Sequence, residues 1–408
     1  MLKGTVMQRA TPEAARRLNG PWAALAFVVL IGIVSLFADA TYEGARSLLG
    51  PYMLVLGASA TAVGIISGFG ELVGYGLRLL SGRISDQTRR YWTVALFGYF
   101  IQMIAVPAIA LAGSWEVAAV LWIAERTGKA MRNPPRDAIL SHASSQIGRG
   151  WAFGLHEALD QAGATIGPLG LALVLYLDGS YKAAFAILVV PAVLCLTFLL
   201  TARARYPNPS DFEAALPEFD SRLPPLFWLY LLGTGLVAVA YTDFPLIAFH
   251  FKDASVISDS WTPVFYAVAM GADATAALAL GRVYDRLGIR VLIAAFALSA
   301  LFPVLVFYGG FGLALAGIIL WGIGFGAQES IMKSVVVHLI PPSKRASAFG
   351  MFDAGFGVLW FGGSAIMGIL YDQSVAAVVI FSTGLQIIAI LWILALRQRL
   401  ADSHMIAA

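Results

Sequence analysis

Residues 149–178 read Arg149-Gly-Trp-Ala-Phe-Gly-Leu-His156-Glu157-Ala-Leu-Asp160-Gln-Ala-Gly163-Ala-Thr-Ile-Gly167-Pro168-Leu-Gly170, then run apolar to Tyr176 and Asp178. The stretch opens on a cation, is apolar for about one membrane thickness and closes on an anion. Inside it His156, Glu157 and Asp160 fall within little more than one helical turn. Residues 345–372 echo it: Arg345 opens, Ala-Phe-Gly recurs at 348–350, Asp353 supplies an acid, glycines stand at 355, 357, 362 and 363, and Tyr371-Asp372 closes. The two Ala-Phe-Gly triplets lie 196 residues apart, close to half the chain. A helix loaded with charges that are costly in lipid, present twice at half-chain spacing, implies a duplicated membrane bundle.

Composition agrees. Of 408 residues, 59% are hydrophobic and 12% are charged, against roughly 25% charged in soluble domains. A net charge of +3 offers no footprint for nucleic acid, and none is expected as a partner. The single cysteine, Cys195, lies in an apolar run, which excludes an internal disulfide framework and a multi-cysteine metal site. Residues 1–20 are polar, and the run from Trp22 to Ala38 reads as a first span without a cleavage site.

Apolar windows of helical length predict twelve spans, near 22–49, 60–82, 92–112, 115–134, 149–177, 182–202, 226–250, 261–282, 290–309, 311–334, 345–371 and 375–396. The runs do not alternate, and backbone in lipid must satisfy itself, so helices are expected rather than strands. The predicted fold is all-α and integral to the membrane, with two six-helix pseudo-repeats. The N-terminal bundle covers 22–202 and the C-terminal bundle 226–396. A Pro-rich linker at 203–225 joins them, and tails occupy 1–21 and 397–408. With the N-terminus inside, 21 of the 27 Lys and Arg residues fall on the cytoplasmic side, among them Lys129, Arg132 and Arg136 at the end of span four. The positive-inside rule then places both termini in the cytoplasm of a multi-pass protein of a bacterial inner membrane.

The halves also share motifs. Gly82-Arg83-Ile-Ser-Asp86 matches Gly281-Arg282-Val-Tyr-Asp285, and Leu121-Trp122 matches Leu320-Trp321, both at an offset of 199. Ser81-Gly-Arg-Ile-Ser-Asp-Gln-Thr-Arg-Arg90 resembles the signature that the major facilitator superfamily carries between spans two and three. Its copy at 281–290 sits where that family repeats it, and Gly163 to Gly170 resembles a fifth-span motif of its proton antiporters. The resemblance covers essentially the whole chain. It implies parallel six-span repeats around a central cavity, and alternating access. Gln87-Thr88 replaces the usual Arg-x-Gly, and Arg126 is followed by Thr-Gly-Lys-Ala instead of the Gln-Gly pattern, so drug efflux does not transfer directly.

In physical terms, Gly82, Arg83, Asp86, Arg90 and Asp285 are read as a cytoplasmic gate, with Asp86 accepting hydrogen bonds and the cations bridging neighbouring spans. Glu157, Asp160 and Asp353 join it near the cytoplasmic ends, with Glu157 and Asp160 paired to Arg126 or Arg132. Gly163, Gly167, Pro168 and Gly170 form a bendable or closely packing stretch facing the other half.

Intramembrane charges carry the expected chemistry. Asp39, Glu43 and Arg46 share one helix face in span one. Asp39, Glu43, Glu71 and Asp273 are the candidates for proton coupling, because a carboxylate in a dry cavity titrates nearer neutrality. Arg46, Arg78, Arg126, Glu329, Lys333, Tyr42 and Tyr75 are candidates for substrate or charge-partner contacts. Tyr241, Trp321 and Trp360 are candidate cavity aromatics. Asp243 stands before Pro245 in span seven. Glu125 or Arg126 pairing with Asp160 or Glu157, and Glu329 pairing with Lys333, are the structural alternatives. His156 is read as a packed histidine or a proton relay.

The function expected is secondary active transport of a small organic solute by proton-coupled efflux, an antiport. Proton symport or uniport of an organic anion or other metabolite is the alternative, and a non-transporting membrane receptor is the reading from another class. No catalytic Ser-His or His-Glu-x-x-His arrangement and no phosphate-binding loop occurs. No enzyme activity, cofactor or metal is expected. The partners are a small-molecule substrate, protons and the lipid bilayer, and the chain is expected to be a monomer.

Overall fold

The computed structural model describes residues 21–144, 148–207, 223–340 and 345–407. Among these residues only helices occur as regular structure. Spans one to five are Pro21–Val55, Ala60–Thr88, Tyr91–Ala108 with a 3₁₀ turn at Ile109–Leu111, Trp115–Ser144 and Arg149–Asp178. Span six is split into Tyr181–Ile187 and Val189–Arg205, span seven into Pro225–Ala240 and Phe244–Asp253, and span nine into Arg290–Ser299 and Phe302–Tyr308. Spans eight, ten, eleven and twelve are Trp261–Leu287, Phe311–Leu339, Arg345–Gln373 and Val375–Ala407.

Eleven of the twelve are long and apolar enough to cross a bilayer. Span four is the exception, because it carries seven charged residues. It also outruns its expected end at 134. Pro134 and Pro135 lie inside the helix, and Arg136, beyond the expected end, is intrahelical like Lys129 and Arg132. A proline removes the amide that would bond the carbonyl four residues earlier. Here Ser81 of span two donates to the Ala130 carbonyl at 2.9 Å, which supplies the missing donor.

The break in span seven is satisfied in the same way. Ser382 donates to the Ala240 carbonyl at 2.6 Å, and the Trp321 indole donates to the Thr242 carbonyl at 2.9 Å. Asp243 caps the second piece by accepting from the Phe244 amide at 2.9 Å, with Pro245 just inside the helix. Non-helical backbone at membrane depth survives only where protein groups satisfy it.

Within the N-terminal half, span one packs on span five, and span four on spans two and three. Within the C-terminal half, span eight packs on span ten, and span seven on spans eleven and twelve. The halves meet through spans one and seven, two and eleven, and five and eight. Residues such as Ile104, Leu111, Ile380 and Leu391 are exposed and form the lipid-facing surface. Twelve crossings return the end of the described chain to the face where it began, here called the termini face.

The opposite face is where the halves close on one another. Asp372, at the end of span eleven, accepts from the Ala60 and Thr61 amides at 3.1 and 2.9 Å, so the C-terminal half caps the start of span two. Gly50 of span one lies directly on the Pro245 carbonyl, where any Cβ would overlap backbone atoms. Gly50→Val should therefore part spans one and seven, at about 1–3 kcal/mol, and lower the melting temperature in detergent by several degrees. Gly362→Ala, with nothing within 4 Å of its new Cβ, should not lower it. Equal melting of the two variants would disprove this account of the closure.

Candidate functional site

A cavity of about 210 Å³ lies between the halves. Seven carboxylates and six cations line it. All six cations belong to the N-terminal half: Arg46, Arg78, Arg126, Lys129, Arg132 and Arg136. Glu157 lines it and is exposed, whereas Tyr42 and Arg46 at its other end are buried. The cavity thus opens toward the termini face and ends beneath the closed opposite face.

The inner end is an ion-pair network. Arg46 Nη2 lies 2.8 Å from Asp243 Oδ1 and 3.4 Å from Glu71 Oε1. The first contact joins span one to span seven, across the two halves. Ser67 of span two donates to the other Asp243 oxygen. The capping carboxylate of the broken span is therefore also the anchor for two side chains of the N-terminal half. Glu71 bridges to Arg126 at 3.0 Å. Tyr42 accepts from Arg46 at 3.2 Å and from Arg126, whose guanidinium also lies over the Tyr42 and Trp122 rings. Glu43 makes a second cross-half link: Tyr266 of span eight donates to it at 2.5 Å, and Lys129 stands 3.8 Å away.

Span four extends the network toward the termini face. Gln102 donates to Glu125 at 2.7 Å and accepts from Arg132 at 2.5 Å. Arg132 also binds Asp39 at 3.2 Å and Tyr99 at 3.1 Å. Arg136 pairs with Asp137 at 2.8 Å and reaches Asp160 at 4.0 Å. His156 bonds Ser35 at 2.8 Å and lies 3.6 Å from Asp160.

A Major Facilitator Superfamily sequence profile matches residues 28–290. The chain belongs to the major facilitator superfamily. An uncharacterized protein of Mycobacterium tuberculosis strain H37Rv is 40% identical over 386 residues, covering 92% of this chain and 94% of that one. An uncharacterized transporter of the same superfamily from Methanocaldococcus jannaschii is 26% identical, covering 89% of this chain and 92% of the other. Among solved structures, the nucleoside transporter NupG superposes with a TM-score of 0.74 at 17% identity, over 90% of this chain and 98% of its own. A bacterial homolog to the human lysosomal transporter Spinster, in an inward-facing and unoccupied conformation, gives 0.69 at 13% identity, over 94% and 96%. These structures share the fold, and membership of the superfamily makes the chain a membrane transporter.

Several expected pairs differ in this member of the superfamily. Arg126 is held by Glu71 and Glu125, not by Glu157 or Asp160. Asp160 pairs with Arg136 and His156 instead, because span four continues as helix past 134 and carries Arg136 to span five. Glu157 meets Gln161 at 3.4 Å. Lys333 is exposed, and no ion pair within 4 Å joins it to Glu329 among the described residues. Gly163 and Gly167 do not face the other half. They lie on the Leu36 and Ala40 carbonyls of span one, in a close helix crossing, and span five runs unbroken through Pro168 and Gly170.

The remaining candidates divide. Tyr75, Arg78, Asp273, Glu329 and Trp360 line the cavity with Asp39, Tyr42, Glu43 and Glu71. Tyr241 and Trp321 do not; both are buried in the C-terminal bundle, and Tyr241 donates to the Trp321 carbonyl. Asp353 is half-buried outside the cavity lining. Asp86 accepts from Tyr91 at 3.1 Å, Gly82 lies near Pro134, and Arg90 is exposed. The Asp285 side chain lies outside the described residues.

Sequence reasoning did not select Ser67, Lys129, Arg136 or Tyr266 as site residues, and it named Arg132 and Asp243 without their actual partners, Asp39 and Arg46. Asp243 had a legible signal, an Asp at an N-cap with Pro two residues on. Arg136 was obscured by Pro134-Pro135, which reads as a helix end.

A buried carboxylate deprived of its partner costs about 3–5 kcal/mol. Arg46→Gln and Asp243→Asn should each destabilise the protein strongly, and the double variant should lose much less than the sum. A double-mutant cycle on thermal unfolding should return a coupling of about 1.5 kcal/mol or more. Additivity would mean that the cross-half pair contributes nothing.

Proposed function

We propose that the chain is a proton-coupled exporter of a small organic solute, working by alternating access. The observation that carries this reading is the Arg46–Asp243 pair, which ties the halves together at the closed end of a polar cavity. One face is sealed, the other is open, and the seal is made of groups that can separate. The termini face is taken as cytoplasmic, in line with the excess of Lys and Arg toward it. The closed end then faces outward, and the state is inward-facing, as in the Spinster homolog of similar fold.

Proton handling is assigned to Asp39, Glu43, Glu71 and Asp273. Asp39 and Glu71 each lie beside an arginine that lines the same cavity. Movement of the guanidinium away leaves a carboxylate that favours a proton, and its return expels that proton. Arg46, Arg126 and Arg132 are in this reading the switchable partners. The gate on the termini face comprises Gly82, Arg83, Asp86, Arg90, Asp285, Glu157, Asp160 and Asp353, which approach the other half when the cavity closes. The protein works as a monomer, because the cavity is completed by the two halves of one chain.

Everted membrane vesicles with an acid lumen test the coupling. Addition of a transported solute should dissipate the pH gradient, read as recovery of acridine orange fluorescence, and Asp39→Asn and Glu71→Gln should each remove most of that response. A deepening gradient would indicate symport instead. An intact response in both variants would overturn the proton assignment.

A further inference from the structure

The charges on the two walls of the cavity are not balanced alike. Of the six cations on the N-terminal wall, five have a carboxylate within 4.0 Å: Arg46, Arg126, Lys129, Arg132 and Arg136. Those charges are spent inside the protein. The C-terminal wall supplies Asp273 and Glu329, together with Met270, Phe325 and Trp360. Among the described residues, neither carboxylate has a Lys, Arg or His nitrogen within that distance.

Asp273 is only 2% exposed, and its Oδ1 has no hydrogen-bond partner. Gly326 of span ten leaves the room that this carboxylate occupies, since a Cβ there would stand 2.8 Å from Oδ1. Trp360, 3% exposed, likewise lines the cavity with its indole nitrogen unpartnered. Glu329 stands exposed at the open side of the same wall.

The titratable groups around Asp273 sharpen the imbalance. The strongest influences on Asp273 come from Glu329 of span ten, Glu157 of span five and Glu43 of span one, with Tyr241 of span seven and the Gln161 amide also near; the cavity cations stand on the N-terminal wall. Lys333, one turn beyond Glu329, and Lys129 across the cavity act on Glu329 from beyond ion-pair distance. A carboxylate nearly removed from water with no counter-charge requires either a proton or a cationic ligand. The aromatic side chains of the same wall suit an ammonium group, which is attracted by ring faces and tolerates an apolar surround.

We propose that Asp273 and Glu329 form a cation subsite, and that the cargo of this transporter carries a protonated amine. The subsite rests on the transporter reading above and names its substrate class. Binding is an exchange: the carboxylic acid of Asp273 releases its proton to water, and the carboxylate then holds the R–NH₃⁺ group, so charge in the cavity is conserved. Solute and proton compete for one group.

The test uses three probes of one shape and different charge: benzylamine, benzyl alcohol and benzoate. Each is titrated into the purified full-length protein in nanodiscs, with binding read from tryptophan fluorescence and checked by calorimetry. Benzylamine should bind in preference to the alcohol and to benzoate. Glu329→Gln and Asp273→Asn should each weaken it about ten-fold or more. Its affinity should fall by up to about ten-fold per unit decrease in pH through the titration of the site. The exposed position of Glu329 keeps that variant informative even where Asp273→Asn fails to fold. Preference for benzoate, equal affinity of benzylamine for wild type and both variants, or no binding of benzylamine would overturn the subsite. None of these outcomes requires a proton gradient, so the vesicle assay of proton exchange stands or falls separately.

Discussion

Charge inside a low-dielectric bundle must be compensated, and that constraint organises this protein more than any single helix does. Thirteen acidic and basic side chains face one cavity. An isolated charge in such a place costs several kcal/mol, so helices that carry charges are forced to face one another. Span four, the span too polar to pass as a membrane helix, is tolerable because spans one, two and three and the cavity receive its charges. Arg126 meets Glu71, Arg132 meets Asp39, and Lys129 meets Glu43. The apolar outer surfaces then follow as the complement of an ionic interior.

The gross fold was open to reading from the chain, and the reason is physical. Hydrophobic runs of span length, and charged helices repeated at half-chain distance, leave few arrangements in lipid. What stayed hidden was the pairing. A carboxylate in a span has several cations within reach of sequence spacing, and tertiary contact selects among them. Arg126 looked as though it belonged with Asp160, yet it lies against Glu71 and Glu125. Asp243 looked like an isolated charge beside a proline, and it is the cap of a broken helix and the partner of Arg46. Pro134-Pro135 hid the last third of span four, because the Ser81 hydroxyl that rescues the freed carbonyl is some fifty residues away in sequence.

The two halves share a plan and differ in use. The two helices that repeat Ala-Phe-Gly show this well. In span five, Gly163 and Gly167 let the backbone settle onto span one within the same half. In span eleven, Gly368 lies against the Ala60 carbonyl across the interface, with Gly64 of span two on the Ser364 carbonyl. Small residues thus bind a half together in one repeat and bind the halves to each other in the next. The charge follows the same division: the N-terminal wall holds all six cations and most of the acids that pair with them, and the C-terminal wall holds Asp273 and Glu329 with no cation of its own.

The seal and the cavity share a single guanidinium, and this sets how they can be coupled. Arg46 is held by Asp243 across the interface and by Glu71 within its own half. If the halves part at the closed face, Glu71 keeps Arg126 as well, so the N-terminal half loses little. Asp243 loses both Arg46 and Ser67, because both belong to that half, and retains only the amide that it caps. In a dry interior that loss is worth about 3–5 kcal/mol. Once water reaches the carboxylate, the same pair is worth about 0–1 kcal/mol. Opening is therefore tied to wetting of the Asp243 site. The difference between the dry and wet values, about 2–5 kcal/mol, is a sizeable part of the roughly 5.5 kcal/mol that carries a two-state equilibrium from one extreme to the other. In the transport reading proposed above, a ligand or proton that alters the balance at Glu71 would alter the hold on Arg46, which Glu71 and Asp243 share, and so act on the seal from inside the cavity.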